Sequence, residues 1–321
     1  MTHIPNPYVI ANSVMTLEAQ ASSEIENIVT TAGEMFLADQ GGEISSTPAA
    51  IEALRGRYAL WDAYEGVSNR PVGVSTAIRI CTLVKGVEMN VRDMPGTRIA
   101  RPTTGEIVYS PPEGVGLLRD KLANWEAFIH GDELIDPVVR MAIAHYQFEA
   151  IHPFTDGNGR TGRVLNLLLL VEAGLIAWPT LFLSRYLIEN KSDYYRLLLK
   201  VTTDAAWEEW ILYIIEATRA SANETRQMIL DIQQLRTRYA TDLSAVSMGM
   251  QHNFFLDLLI KSPYYRIQQV MDECAVTRPT ASTWLKALEA EGVVRRLKIG
   301  RNVLYMNLDY MSVLNGGGRS T

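Results

Sequence analysis

The chain has 321 residues, of which 47% are hydrophobic and 21% charged, and it carries a formal net charge of −6 at pH 7. That length suggests about two domains with enough chain to bury a sizeable core, and the acidic balance excludes a chain-wide affinity for nucleic acid, so any basic surface must be local. Two cysteines, Cys81 and Cys274, are too few for a disulfide framework or a Cys-based zinc site and point to a reducing compartment.

The opening residues, MTHIPNPYVI, lack the basic stretch and apolar core of a leader. From Met15 to Phe36 there is no Pro, and Leu17, Ile25, Ile28 and Val29 lie among acids, which predicts an amphipathic helix. Thr47 and Pro48 supply a cap and a first turn for a second helix running to Tyr64. Residues 91–112, VRDMPGTRIARPTTGEIVYSPP, are rich in Pro, Gly and Thr around the short apolar run Ile107, Val108, Tyr109, and predict a hairpin or loop flap. Residues 137–151, PVVRMAIAHYQFEAI, start with a Pro suited to a first turn and are apolar on nearly every face, as a helix at the centre of a domain should be. The next helix begins near Gly159 and carries VLNLLLL inward. Asn166 and Glu172 interrupt that apolar run, so no membrane span is expected and the chain reads as cytoplasmic. The polar residues 315–321, NGGGRST, are expected to be a flexible tail.

Between the two apolar helices lies HPFTDGNGRTGR, residues 152–163. Pro153 disfavours continued helix at His152 and Asp156-Gly-Asn-Gly is turn chemistry, so the segment predicts a helix end, a tight loop and a new helix start. Backbone N–H groups at Gly157, Asn158 and Gly159 would then converge at a helix N-terminus, where anions bind well. Arg160 and Arg163 add fork-shaped donors suited to phosphate oxygens, and Asp156 offers a hard ligand for Mg²⁺ on the same phosphates. His152 is the one group there able to take a proton near neutral pH. Other motifs fail: Arg163-Val164 stand where a P-loop needs Lys-Ser/Thr, and Arg160 and Leu167 occupy ligand positions of a calcium loop. Glu149 and His152 have Glu-x-x-His spacing, but no second such pair exists for a di-iron bundle.

HPFTDGNGRTGR resembles the signature of Fic domain proteins, HPFx[D/E]GNGRxxR, at every fixed position. Members of that family are mostly adenylyltransferases that move AMP from ATP onto a Ser, Thr or Tyr hydroxyl of a target protein. The resemblance implies His152 as general base, Asp156 as Mg²⁺ ligand, Gly157 to Gly159 as phosphate cradle, and Arg160 and Arg163 as triphosphate clamps. A kinase branch of the family carries lysine where Gly159 stands, so glycine favours AMP transfer. Tyr109-Ser-Pro-Pro112 is similar to the end of the family flap, which holds the target's backbone by strand addition. Tyr194-Tyr195 resembles the aromatic pair over the adenine, with Tyr195 the better candidate. Where some members place an Asn on the adenine edge, this chain has Thr202-Thr203. Upstream, Ser22-x-x-x-Glu26-Asn27 is similar to the family's inhibitory pattern [S/T]xxxE[G/N]. A helix would set Ser22 and Glu26 on one face, from which the carboxylate would form a bidentate pair with Arg163 and occupy the fork that the γ-phosphate requires.

From Tyr264 onward the chain reads as helix, turn, helix and two strands joined at Gly300-Arg301-Asn302, and resembles a winged helix-turn-helix. Thr280, Ser282 and Thr283 fall on the exposed side of its second helix. Residues 261–305 hold eight basic side chains against four acids, an excess fit to meet phosphates. Protein docking by the same surface stands equally.

The expected protein is mainly α: a Fic helical domain with a short hairpin flap, plus a C-terminal winged helix. It divides into an inhibitory N-terminal segment (1–45), the catalytic domain (46–220), a helical linker with the winged helix (221–314) and the tail. It would use ATP and Mg²⁺ on a target protein, itself included, with a second copy of the chain, DNA or another protein as further candidate partners. Two other readings stay open: a hydrolase that removes AMP from modified proteins, and a nucleotide-sensing DNA-binding regulator.

Overall fold

The computed structural model describes residues 7–41, 46–100, 105–131, 134–246 and 253–316. The described part begins with α1 (Pro7–Ile25), α2 (Ala32–Asp39), α3 (Pro48–Val67) and α4 (Val74–Lys85), followed by the strands β1 (Ile99–Ala100) and β2 (Ile107–Tyr109). Next come α5 (Val115–Ile129), α6 (Pro137–Ile151), α7 (Asn158–Glu172), α8 (Leu183–Glu189), α9 (Lys191–Asp204) and α10 (Trp207–Val246). The chain closes with α11 (Asn253–Lys261), β3 (Tyr264–Tyr265), α12 (Ile267–Cys274), α13 (Arg278–Ala290), β4 (Val294–Ile299), β5 (Asn302–Asn307) and α14 (Leu308–Leu314).

Helix starts follow their local chemistry. Thr47 accepts from Ala50 N ahead of Pro48 at the start of α3, and Asp136 accepts from Val138 and Val139 N ahead of Pro137 at the start of α6. The expected single helix over 15–36 is instead two. Asn27 turns left-handed at φ 63°, and the N–H groups of Asn27 and Ile28 reach back to Glu24 and Ser23 O in a helix-ending motif. Thr31 and Glu34 then form a capping box that starts α2.

Two hydrophobic cores organise the chain. Phe148 and Ile151 of α6 and Leu165, Leu167, Leu168, Leu169 and Leu170 of α7 lie in the first with Trp125 of α5. Phe255, Leu259, Leu285, Tyr305 and Tyr310 lie in the second. Helix α10 has 40 residues, about 60 Å at 1.5 Å per residue, and it enters both cores: Trp210 and Ile214 in the first, Ile232 and Tyr239 in the second. The expected boundary at 220/221 therefore falls within one uninterrupted helix. Helix α1 is likewise shared. Ala11, Met15 and Ile25 face the first core while Ile10, Val14, Leu17 and Ala21 face the second, so it is buried on opposite sides rather than amphipathic.

β1 and β2 pair antiparallel with Ile99 opposite Tyr109, forming the expected flap, of which residues 101–104 lie outside the described ones. At the C-terminus, α12 and α13 precede the β4–β5 hairpin, and β3 joins β5 on its other edge. Residues 317–321 of the expected tail also lie outside the described part. Among the described residues no helix is long and apolar enough to cross a membrane.

Candidate active site

Helix α6 stops at Ile151 because His152 turns left-handed at φ 50°, its N–H bonding back to Phe148 O at 3.0 Å. The loop to α7 is closed by Asn158, whose side chain accepts from Phe154 N and donates to Phe154 O, both at 2.8 Å. That buried amide is structural, so what Asn158 can offer an anion is its backbone N–H. Gly157 takes φ 85°, and its own N–H is bonded to Asp156 Oδ1 at 2.6 Å. The first turn of α7 leaves N–H groups without helical partners, and Gly159 of that turn lines a cleft of about 820 Å³.

Arg163 lies at the base of that cleft and is 1% exposed. Its Nε donates to Ser22 Oγ, and its Nη2 to Ser22 O and Glu26 Oε1, each at 2.8 Å. The expected bidentate carboxylate pair is thus replaced by three acceptors, with Glu26 making a single contact. The reason lies in the helix end: Glu26 follows the last turn of α1 and approaches over Gly159, where an added Cβ would stand 2.2 Å from its Oε1. Asn27 ends the helix and accepts from Lys191 Nζ at 3.3 Å.

His152 opens onto the same cleft, half-buried. Loss of solvation, then the Arg92 cation, lowers its pKa to about 4, so it is neutral and able to accept a proton at physiological pH. One turn earlier, Glu149 is pushed up to about 7 by burial, and Gly162 gives it room: a Cβ there would lie 2.4 Å from its Oε1.

The flap forms one wall, with Val108 and Tyr109 facing the cleft and Ile107 exposed on the outer side. Tyr109 Oη donates to Ala150 O at 2.8 Å, tying the flap to the last turn of α6. At the far end Tyr195 lines the cleft, its ring edge-on to Tyr194, while Tyr194 is buried against His145. Thr202 Oγ1 and Tyr146 Oη share a hydrogen bond of 3.0 Å there, where an amide was absent from the sequence.

Two expected ligands sit otherwise. Arg160 is buried and turned onto Glu52 of α3 at 2.8 Å, away from the cleft, because α3 packs against that side of α7 and offers a carboxylate. Asp156 is paired with Lys85 Nζ; burial would raise its pKa, but Lys85 and Gly157 N bring it below the usual carboxylate value. Among the described residues no group of three or more His, Cys, Asp or Glu could hold a metal. A lone carboxylate is nonetheless what Mg²⁺ needs when phosphates and water complete its shell.

Sequence reasoning missed Arg92, Tyr146 and Lys85, which hold backbone or partners remote in sequence and leave no motif. It also missed Glu18. This carboxyl is buried on α1, accepts from Ser184 N at 2.8 Å and from Ser184 Oγ at 2.5 Å, and is pushed up to about 7, chiefly by burial.

The fold is mainly helical, with a cleft at the start of α7. The Fic/DOC family profile matches residues 76–170, the Fic/DOC family N-terminal profile residues 1–65, and that of the protein adenylyltransferase SoFic-like C-terminal domain residues 252–310. The chain belongs to the Fic/DOC family. It is 38% identical over 87 residues to protein adenylyltransferase fic-1 of Caenorhabditis elegans, covering 27% of this chain and 16% of that protein. It is 33% identical over 218 residues to protein adenylyltransferase Fic of Drosophila ananassae, covering 67% of this chain and 39% of that one. It therefore spans well under half the length of these relatives. A Fic family protein from Desulfovibrio desulfuricans G20 shares the fold with a TM-score of 0.54 at 19% identity, over 94% of this chain and 88% of that one. A Fic domain containing signaling protein from Bacteroides thetaiotaomicron VPI-5482 does so with a TM-score of 0.56 at 20% identity, over 68% and 87%.

Proposed function

We propose that this chain is a protein adenylyltransferase, moving AMP from ATP to a Ser, Thr or Tyr hydroxyl of a target protein, and that Glu26 restrains it. The observation that carries this reading is the meeting of three groups in one cleft: neutral His152, the N-terminus of α7 with Arg163, and Glu26 laid over Gly159 onto Arg163. His152 would take the target's hydroxyl proton while the hydroxyl oxygen attacks the α-phosphate and pyrophosphate leaves. Tyr195 would lie against the base, and Arg163 would hold the γ-phosphate once Glu26 withdraws. Asp156 would hold Mg²⁺ after exchanging Lys85 for the ion, which would neutralise charge on the phosphates. Arg160, held by Glu52, would support the start of α7 from behind.

The test is incubation with α-labelled ATP, Mg²⁺ and candidate targets, the chain itself included. Labelled protein lost in His152→Ala supports transfer. AMP release from a modified target without labelling of a fresh one would favour the hydrolase reading.

The C-terminal unit would offer a docking surface. Arg278, Lys286, Arg295, Arg296, Lys298 and Arg301 are all exposed and make no ion pair among the described residues. Such a face would suit the phosphates of a duplex nucleic acid or an acidic protein surface.

A further inference from the structure

Arg92 lies on the loop after α4, at the start of the stretch 91–112 that the sequence marks as a flap, and is 3% exposed. Its Nε donates to His152 O at 2.8 Å, its Nη2 to Pro112 O at 2.6 Å, and its backbone N–H to Pro153 O at 2.9 Å. One residue thus grips the two peptides that follow the left-handed residue His152 and, through the second arm of its fork, the end of the flap. It has no ion-pair partner among the described residues; Glu113, whose charge acts on it, is engaged by Arg98 at 2.6 Å and Gly96 N at 3.1 Å. A buried cation without a carboxylate is unfavourable for stability. A chain that needed only to pin this loop could have used a neutral donor.

We propose that Arg92 is a positioning residue for the transfer reaction, holding the base His152 and the target-binding flap in one frame. The geometry requires a fork: the two carbonyls belong to residues 40 apart in sequence, and the planar guanidinium reaches both at once. His152 sits in a strained backbone conformation that its surroundings must maintain. Tyr109, whose hydroxyl donates to Ala150 O, fastens the flap to the last turn of α6 as well, so base and flap are bonded to one another at two points. Charge adds to position. The groups facing the imidazole are Arg92 from this loop, Glu26 beyond α1 and Asp156 on its own loop; Arg92 favours the neutral base, and the two carboxylates oppose it.

This inference rests on the transferase reading, so the test uses Glu26→Gly as parent and His152→Ala as blank. Arg92→Lys, Arg92→Gln and Arg92→Ala are compared for kcat, KM for ATP and the pH dependence of kcat/KM. Arg92→Lys and Arg92→Gln should lower kcat about ten- to hundredfold while KM for ATP stays within about threefold, because displacement of the base leaves the phosphate site intact. The acid limb should move to higher pH in Arg92→Gln, which loses the cation, and stay in place in Arg92→Lys, which keeps it. If Arg92→Ala does not fold, these two variants carry the test. An unchanged kcat, or a fall in kcat matched by a rise in KM with identical acid limbs, would overturn the assignment. A parent with no transfer at all would instead refute the transferase reading.

Discussion

The Oε1 of Glu26 lies over Gly159 so closely that a Cβ added to Gly159 would stand 2.2 Å from it and 2.9 Å from Arg163 Nη1. The carboxylate therefore covers the start of α7 as well as the arginine, the two features proposed to hold the phosphates. Gly159→Ala should displace Glu26, yet the same methyl would crowd an incoming phosphate. Introduced into Glu26→Gly, it should cut labelled transfer by about tenfold or more, since small misplacements at a reacting centre have large effects. Transfer equal to the parent would show that phosphates do not pass over Gly159.

His152→Ala should lower transfer by roughly 10² to 10⁴ while ATP binding stays nearly intact, because the base acts on the target hydroxyl. The base must be neutral, and burial beside Arg92 lowers its pKa to about 4. The acid-side loss of kcat/KM should accordingly fall well below the ordinary histidine range. A limb near pH 6.5 would mean that the working base is more solvated than the structure shows.

Glu18 links α1 to α8 and should shape stability rather than chemistry. Its folded pKa, about 7, lies above the ordinary value of 4.5. The native state therefore holds this proton more tightly than the unfolded chain does. The stability it contributes is complete below pH 4.5 and lost as pH rises through 7, on the order of 3 kcal/mol at most. Glu18→Gln should flatten the change in urea midpoint between pH 5.5 and 8, although Glu149 titrates in the same direction. An unaltered slope would show that Glu18 is already ionised at low pH.

If the C-terminal face meets a duplex, its affinity should fall steeply with salt, and Arg301→Glu should weaken binding about equally for all sequences. Absence of binding to any duplex at low salt would leave protein docking as the use of this face.

What could be read from the sequence was local. Thr47-Pro48 and Asp136-Pro137 announce their helix starts within a few residues, and HPFTDGNGRTGR encodes a loop between two apolar helices by its own composition. The break in the expected helix at Asn27 was less legible, since an Asn that ends a helix differs from one inside it by a backbone angle. Arg160 was read as a phosphate ligand because its pairing with Glu52 spans 108 positions and depends on how α3 packs on α7. Arg92 was invisible for another reason: its acceptors are carbonyls, which every residue has.

On the proposed reading, Glu26 withholds Arg163 from ATP. The most direct test is the amount of AMP transferred per minute from α-labelled ATP by the unaltered chain, Glu26→Gly, and Glu26→Gly with Arg163→Ala. A charge-assisted contact is worth very roughly 1.5 to 3 kcal/mol, so Glu26→Gly should raise transfer about ten- to a hundredfold, and Arg163→Ala should abolish the gain. Transfer unchanged in Glu26→Gly, while His152→Ala still removes it, would contradict the claim.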